Sequence, residues 1–375
     1  MKRSISTAVL TLMLVLTLIF GAVPVMATET TVPDEAGAPD ITLETDPETG
    51  EPIEESRWRE GFSPLSGLPI AEEDENRKIF AFSMGNQRPA RMQAGLRSAE
   101  LIFEFRNEAN SSRFVALFMT QPVPERLGGL RSARPFMVER ILEYDAVFVH
   151  VGGSPDGNRY IEEFDVTNFD AIRLPQTMFW RYNQTGKKSP HNLYTDLDIL
   201  FEKAERYGIS MEPSAFKGYL FNEEVLPLNG KPALEFEINL ASQNVKRYEY
   251  DEETKTYLRY ENNELHLDEL DREPLTPVNI IVQEAMSHVY TEHGHRKMDQ
   301  IGEGRALYFS HGEMIELTWE KEDERAMTVF YTEDGEELVL NPGQMFIQVV
   351  DSLDDLEILN PEPVETEAET EETTP

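Results

Sequence analysis

The sequence predicts an α+β protein: a mixed α/β N-terminal domain followed by a smaller β-rich C-terminal domain, flanked by acidic tails with no fold of their own. Three observations carry this. Helix-like and strand-like stretches alternate up to about residue 210, and short strand-like runs separated by hairpin-type turns follow. Both ends are rich in Thr, Glu and Pro and nearly empty of aromatics, so they cannot bury enough surface to offset the entropy of ordering. The division expected is 1–27 signal peptide, 28–57 acidic disordered linker, 58–212 N-terminal α/β domain, 213–225 linker, 226–352 β-rich domain and 353–375 acidic disordered tail.

At the start, Lys2 and Arg3 precede an apolar run from Ala8 to Val25, and Val25-Met26-Ala27 places small residues where signal peptidase cuts. This reads as a secretory signal that puts the mature chain outside the cytoplasmic membrane, with an uncleaved anchor helix as the alternative. Phe62 to Pro69 is turn-rich and apolar, like a segment laid over a core. Lys78–Met84, Glu100–Phe105 and Arg113–Met119 read as strands. Arg131–Tyr144 reads as a helix with Ser132 as its cap and Pro135 in the first turn. Ala146–Val151 is a short strand that empties into Gly152-Gly153-Ser154-Pro155, with a helix after it. Thr195 to Asp198 resembles a capping box for a helix ending at Gly208. In the second domain, Asn262-Asn263, His311-Gly312 and Asp334-Gly335 mark hairpin turns.

Charge bounds the function. The chain has 34 Lys plus Arg against 70 Asp plus Glu, a formal net charge of −36, which argues against nucleic acid and against anionic lipid as partners. The absence of cysteine excludes disulfides, thiolate metal sites, a cysteine nucleophile and a lipobox anchor. Against that background, residues 80–140 hold nine Arg, no Lys and five acidic residues. Guanidinium forks suit carboxylate or phosphate better than ammonium groups do. Arg113, Arg131 and Arg134 belong to this set. Arg131, Ser132 and Arg134 open a predicted helix whose N-terminal N–H groups also favour an anion.

His150-Val151-Gly152-Gly153-Ser154 follows a strand, so it lies at the strand's C-terminal end, where its glycines could bring N–H groups to an oxyanion. It lacks the Lys-Ser/Thr of a nucleotide loop and any G-x-G-x-x-G spacing, so no cofactor is implied. A plain tight turn is the competing account. His191 and Asn192 sit in a loop after Lys187 and Lys188, which favour a neutral imidazole. His150 and His191 with Glu104 or Glu108 would be the most economical metal set, but no metal-ligand spacing supports it. His293-Gly294-His295 reads as a β-domain turn.

Several of these segments resemble one family. Pro64–Pro69 is similar to its P-L-T-G-L-P, Asn86–Leu96 to N-x-x-x-A-R-P-Q-S-G-L, Gly129–Arg134 to G-P-V-R-S-A-R, His150–Pro155 to H-G-G-S-P and Pro190–Tyr194 to P-H-N-x-Y. Tyr248–Tyr260, Asn279–Gln283 and Asn341–Gln344 resemble its Y-x-Y-D…Y-x-R, N-V-I-V-Q and N-P-G-Q. The family is that of the YerB-like bacterial exported proteins, domain of unknown function 3048 with its own C-terminal domain. The resemblance covers about residues 60–352 and implies an exported protein without an established activity. The family's M-I-D-N becomes Ser83-Met84-Gly85-Asn86 here, and its "RPQSGL" proline becomes Met92. Loss of that Asp favours binding over chemistry.

The expected function is binding of an anionic cell-envelope small molecule or polymer in an Arg-lined cleft near Arg113, Arg131, Arg134, His150 and His191. A hydrolase or transferase with His191 or His150 as general acid/base is the first alternative. A structural role in protein–protein assembly is the second, which leaves a protein partner open. No membrane span is expected after signal cleavage.

Overall fold

The structure, a computed structural model, describes residues 59–360 apart from 76 and 120–123. The signal segment, the whole acidic linker and the end of the acidic tail lie outside the described residues. All described residues fall in one compact unit.

An eleven-stranded mixed sheet runs through both halves of the chain. Its order from one edge is Lys231–Pro232, Glu313–Lys321, Gly302–Ser310, Asn279–Glu284, Met345–Val350, Leu101–Arg106, Ser112–Phe118, Phe80–Gly85, Val147–His150 and Asn168–Asp170. Val329–Thr332 pairs additionally with Glu313–Lys321. Met345–Val350 lies parallel between Leu101–Arg106 and Asn279–Glu284, so a strand from the end of the chain completes the N-terminal half. Such a central strand, buried on both faces, is apolar throughout except for Gln348.

Alternation sorts the side chains. Phe80, Phe82, Met84, Ile102, Phe114 and Phe346 face one way, toward a five-stranded antiparallel sheet. That sheet runs Glu264–Leu265, Thr256–Glu261, Asn244–Asp251, Glu235–Ala241 and Leu356–Ile358. Phe236 joins the two layers, its ring 3.9 Å from Phe309 and 5.0 Å from Tyr248. Ala81, Phe103, Phe105, Val115 and Leu117 face the other way, toward α1 (Pro135–Leu142) and α2 (Pro155–Glu163). α1 is tied to the second half by Arg140, whose guanidinium reaches Gln283, Gln300 and Thr328 at 2.8–3.0 Å.

The strands and hairpin turns fall close to where the sequence places them, with four differences. Ser132 does not cap α1. The N-cap residue is Arg134, because residues 130–133 are drawn into the sheet and only from Pro135 is the backbone helical. α3 (Leu197–Lys203) is capped by Asp196 and stops at Lys203, a 3-10 turn carrying the chain on to Gly208. Residues 353–358 are not tail: Leu356–Ile358 pairs with Phe236–Ile238, because Leu356 and Ile358 give it an apolar face to lay down. In the expected linker, Phe216 and Tyr219 are buried and Leu220–Phe221 pairs with Val339–Leu340.

Candidate functional site

The site lies at a parting in the sheet. Phe80–Gly85 and Val147–His150 pair in parallel as far as Phe82 and Val149. Beyond that they diverge, and residues 130–133 enter the gap. Arg131 N–H donates to the Ser83 carbonyl at 2.8 Å, Val151 N–H to the Arg131 carbonyl at 3.1 Å and Ala133 N–H to the Gly152 carbonyl at 2.9 Å. This is the C-terminal end of two parallel strands, the place where open α/β sheets leave a crevice. Alternation turns Gly85 and its register partner Arg113 to the helical face, the same side as Val115 and Leu117.

Three guanidinium groups meet there. Arg113 is only 2% exposed; its Nη1 donates to the Ser132 carbonyl, its Nη2 stands 3.7 Å from Glu108, and its Nε has no partner among the described residues. Arg134 donates through Nε to the Glu108 carboxylate and through Nη1 to the Ala133 carbonyl at 2.9 Å. The stem of Arg131 crosses Gly85 so closely that a Cβ at 85 would come within 2.8 Å of its Cγ. Arg131 has a buried Nε without a partner, and among the described residues no carboxylate lies within ion-pair distance of it. Two of the three cations thus share one carboxylate, and the third has none within ion-pair distance among the described residues.

The charges act on one another. Burial first, then Arg134, brings the Arg113 guanidinium well below its ordinary range, and Arg131 adds to this. Burial and Arg134 lower Arg131 in the same way. Burial alone would raise Glu108, but its bond from Arg134 and the charge of Arg113 hold it below the usual carboxylate range. Each arginine here is easier to keep charged when an anion is present.

His191 reaches the same place. Leu127–Gly128 pairs with Tyr194–Thr195, and Leu130 N–H donates to the Leu193 carbonyl at 2.8 Å. A Cβ on Gly129 would sit 2.3 Å from the His191 carbonyl oxygen, so glycine is what lets the two loops lie back to back. Burial, then Arg131 and Lys187, keeps the His191 ring neutral to lower pH than an ordinary histidine. Its Nδ1 is buried without a partner among the described residues.

The other expected residues serve the fold. His150 is stacked on Phe148, its Nδ1 donating to the Gly152 carbonyl at 2.8 Å and its Nε2 lying 3.2 Å from Asn168. It lines a separate polar cavity of about 180 Å³ with Asn158, Glu162, Asp165 and Asp170. Gly152 N–H donates to Asp170 at 2.8 Å, so it is not free to meet an oxyanion. Gly153 is pressed against Asn158, and Ser154 caps α2 by accepting from Gly157 N–H. Asn192 donates to Asn183 at 2.6 Å and accepts from Arg181 at 3.2 Å, which pins the loop that carries His191. Ser132 lends its carbonyl to Arg113.

The nine arginines do not line one cleft. Eight have a carboxylate within 4 Å, and for five of them that partner comes from the second half of the chain: Glu264, Glu261, Asp271, Asp351 and Glu269 for Arg88, Arg91, Arg97, Arg106 and Arg126. Most of the basic patch is therefore an adhesive between halves of an acidic protein.

Sequence reasoning also missed a fully buried ion network. Glu104 interrupts the apolar strand Leu101–Arg106 and meets Arg259 at 2.5 Å and Lys246 at 3.1 Å. Glu261 meets the same two cations at 2.7 and 2.5 Å, and Arg91 at 2.9 Å. Asn86 donates to both carboxylates, and His266 accepts from Arg259 through Nδ1 while its Nε2 donates to Gln93 at 2.8 Å. The available signal was a glutamate at an inward strand position between Phe103 and Phe105. Glu104 is thereby spoken for and cannot join His150 or His191 around a metal. Among the described residues no group of three or more His, Asp or Glu could hold a metal ion, and no helix is long and apolar enough to cross a membrane.

These features define a two-segment α+β protein whose segments share one sheet, with an arginine cluster at the parting of two parallel strands. The chain belongs to the family described as protein of unknown function (DUF3048): the model of its N-terminal domain matches residues 65–210 and that of its C-terminal domain residues 236–347. It is 31% identical over 303 residues, 78% of this chain and 87% of the relative, to the Bacillus subtilis (strain 168) protein named "Putative lipoprotein YerB". The crystal structure of the YerB protein from Bacillus subtilis matches with a TM-score of 0.71 at 28% identity, covering 80% of this chain and 99% of that one.

Proposed function

We propose that this chain is an exported cell-envelope protein that binds an anionic, carboxylate- or phosphate-bearing ligand at Arg113, Arg131 and Arg134. One observation carries the reading: Arg113 and Arg134 share a single carboxylate, Glu108, and beside them Arg131 has no carboxylate within ion-pair distance among the described residues. A buried or half-buried excess of positive charge is costly unless an anion relieves it. The test is thermal unfolding of the purified protein with and without inorganic phosphate, citrate and acetate at matched ionic strength. An anion at a hundred times its Kd stabilises by about 2.7 kcal/mol, and Arg131→Gln is expected to remove that gain. Equal stabilisation of the variant by every anion would refute the site.

A hydrolase or transferase reading retains one supporting observation, the neutral His191 ring with its unpartnered Nδ1 beside Arg131. Turnover of a chromogenic phosphoester that is lost in His191→Ala would favour it. His150 offers no such support, since both ring nitrogens are occupied.

A further inference from the structure

We infer, resting on the anion-site reading, that the ligand group is a doubly charged phosphate monoester rather than a monocarboxylate or a phosphodiester. The charge count decides this. Arg113, Arg131 and Arg134 carry three positive charges and Glu108 one negative, and no other carboxylate among the described residues lies within ion-pair distance of the three. Glu108 is engaged by Arg134 and lies 3.7 Å from Arg113, and Arg181, whose charge also acts on Arg131, bonds only oxygens of Pro190 and Asn192 among the described residues, so at least two charges stay uncompensated. A dianion takes up two of these charges; a monoanion leaves a further cation stranded among guanidinium groups, one of which is 2% exposed.

The donors also match in number. Among the described residues Arg113 and Arg131 each keep a buried Nε without a partner, and His191 adds a buried Nδ1 in the same state. They come from three separate segments: the strand Ser112–Phe118, the inserted residues 130–133 and the loop after Pro190. A phosphate monoester offers three terminal oxygens to three such directions, whereas a carboxylate offers two in one plane. The neutral imidazole contributes a hydrogen bond without adding to the positive charge.

The experiment compares methyl phosphate with dimethyl phosphate, two probes of one shape that differ by a methyl group and a charge, on the purified protein at pH 7.5 by calorimetry. Methyl phosphate is expected to bind at least about tenfold tighter, since one extra charge pair near the surface supplies more than that ratio. Arg131→Gln should erase the difference, and Arg131→Lys, which keeps charge but loses the fork, should restore part of it. Affinities within about threefold, both lost in Arg131→Gln, would overturn the dianion inference and leave the anion site standing. Malonate binding as tightly as methyl phosphate would overturn phosphate as the class. Absence of binding by all three probes, with Arg131→Gln indistinguishable from the parent, would overturn the site itself.

Discussion

Replacing Glu261 by Gln tests whether the buried ion network holds the two halves together. Glu261 Oε1 accepts from Asn86 at 2.5 Å and Arg259 at 2.7 Å, and Oε2 meets Lys246 at 2.5 Å and Arg91 at 2.9 Å. All four partners are donors. An amide is nearly isosteric, but whichever way it turns, its NH₂ faces two donors, and Lys246 and Arg259 lose half their compensating charge. Breaking a buried pair by removing one partner costs about 3–5 kcal/mol, which for a protein of this size lowers Tm by about 6–10 °C. Equilibrium urea unfolding followed by intrinsic fluorescence, with Trp319 buried as reporter, measures the loss directly. Acid titration gives a second readout. Burial alone would raise Glu261, but Lys246, Arg259 and Arg91 outweigh it and hold the carboxyl well below its ordinary value. A depressed carboxylate stabilises the fold above its unfolded pKa, about 4.3, and that stability is lost as pH falls toward the folded value. The variant should therefore lose less stability than the parent between pH 5 and pH 3. The exposed pair Lys231–Glu316 is the control, and Lys231→Ala should leave the melt unchanged. A Glu261→Gln protein within about 1 kcal/mol of the parent, with an unaltered acid limb, would refute the reasoning.

Residues 59–212 expressed alone should give no cooperative thermal transition by circular dichroism, because Leu101–Arg106 loses its parallel partner Met345–Val350 and Glu104 loses both buried cations. Phe236→Ala should destabilise by about 3–5 kcal/mol in urea melts, since its fully buried ring lies between Tyr248 and Phe309. Gly67→Ala should cost about 1–3 kcal/mol by the same measure: φ there is +65° and the new methyl would sit 2.4 Å from the Phe221 ring.

Strands were legible because their periodicity is local. Phe80-Ala81-Phe82, Phe103-Glu104-Phe105 and the Asn262-Asn263 and His311-Gly312 turns announce themselves within a few residues, and the two asparagines indeed take positive φ, 49° and 65°. Sheet order was not legible, because nothing in Met345–Val350 says that its neighbours are Leu101–Arg106 and Asn279–Glu284. For the same reason the arginine run over 80–140 misled. Local composition shows a cationic patch, but the acids that neutralise most of it lie at 261–271 and 351, far along the chain. Arg131, Arg134 and His191 could be named from their motifs, whereas Glu108, the carboxylate of Arg113 and Arg134, stood out in the sequence only as a candidate metal ligand and one of five acids nearby. The Gly152-Gly153 turn resembled an oxyanion loop because sequence does not reveal that Asp170 already accepts from Gly152 N–H.

Gly85 brings the fold and the site into one argument. The motif that Ser83–Asn86 resembles carries Asp at this position, and the glycine here lies under the stem of Arg131. Its backbone is ordinary strand, so a side chain meets no torsional obstacle, only the Arg131 methylenes at 2.8 and 3.3 Å and Ala90 at 3.4 Å. In Gly85→Asp the Arg131 stem must move aside, since a Cβ contact of 2.8 Å is closer than real side chains tolerate, and the new carboxylate then stands within reach of the guanidinium it displaced. A half-buried pair at about 4 Å interacts by roughly 4 kcal/mol at an effective dielectric constant of 20, before desolvation reduces it. The variant would supply from its own chain the anion that the parent must take from solution. Methyl phosphate affinity should fall at least about tenfold, while Tm without ligand holds or rises, because Arg131 gains the partner it lacks. Undiminished affinity in a folded Gly85→Asp protein would mean that Arg131 does not meet the ligand, and the open position left by Gly85 would then need another account.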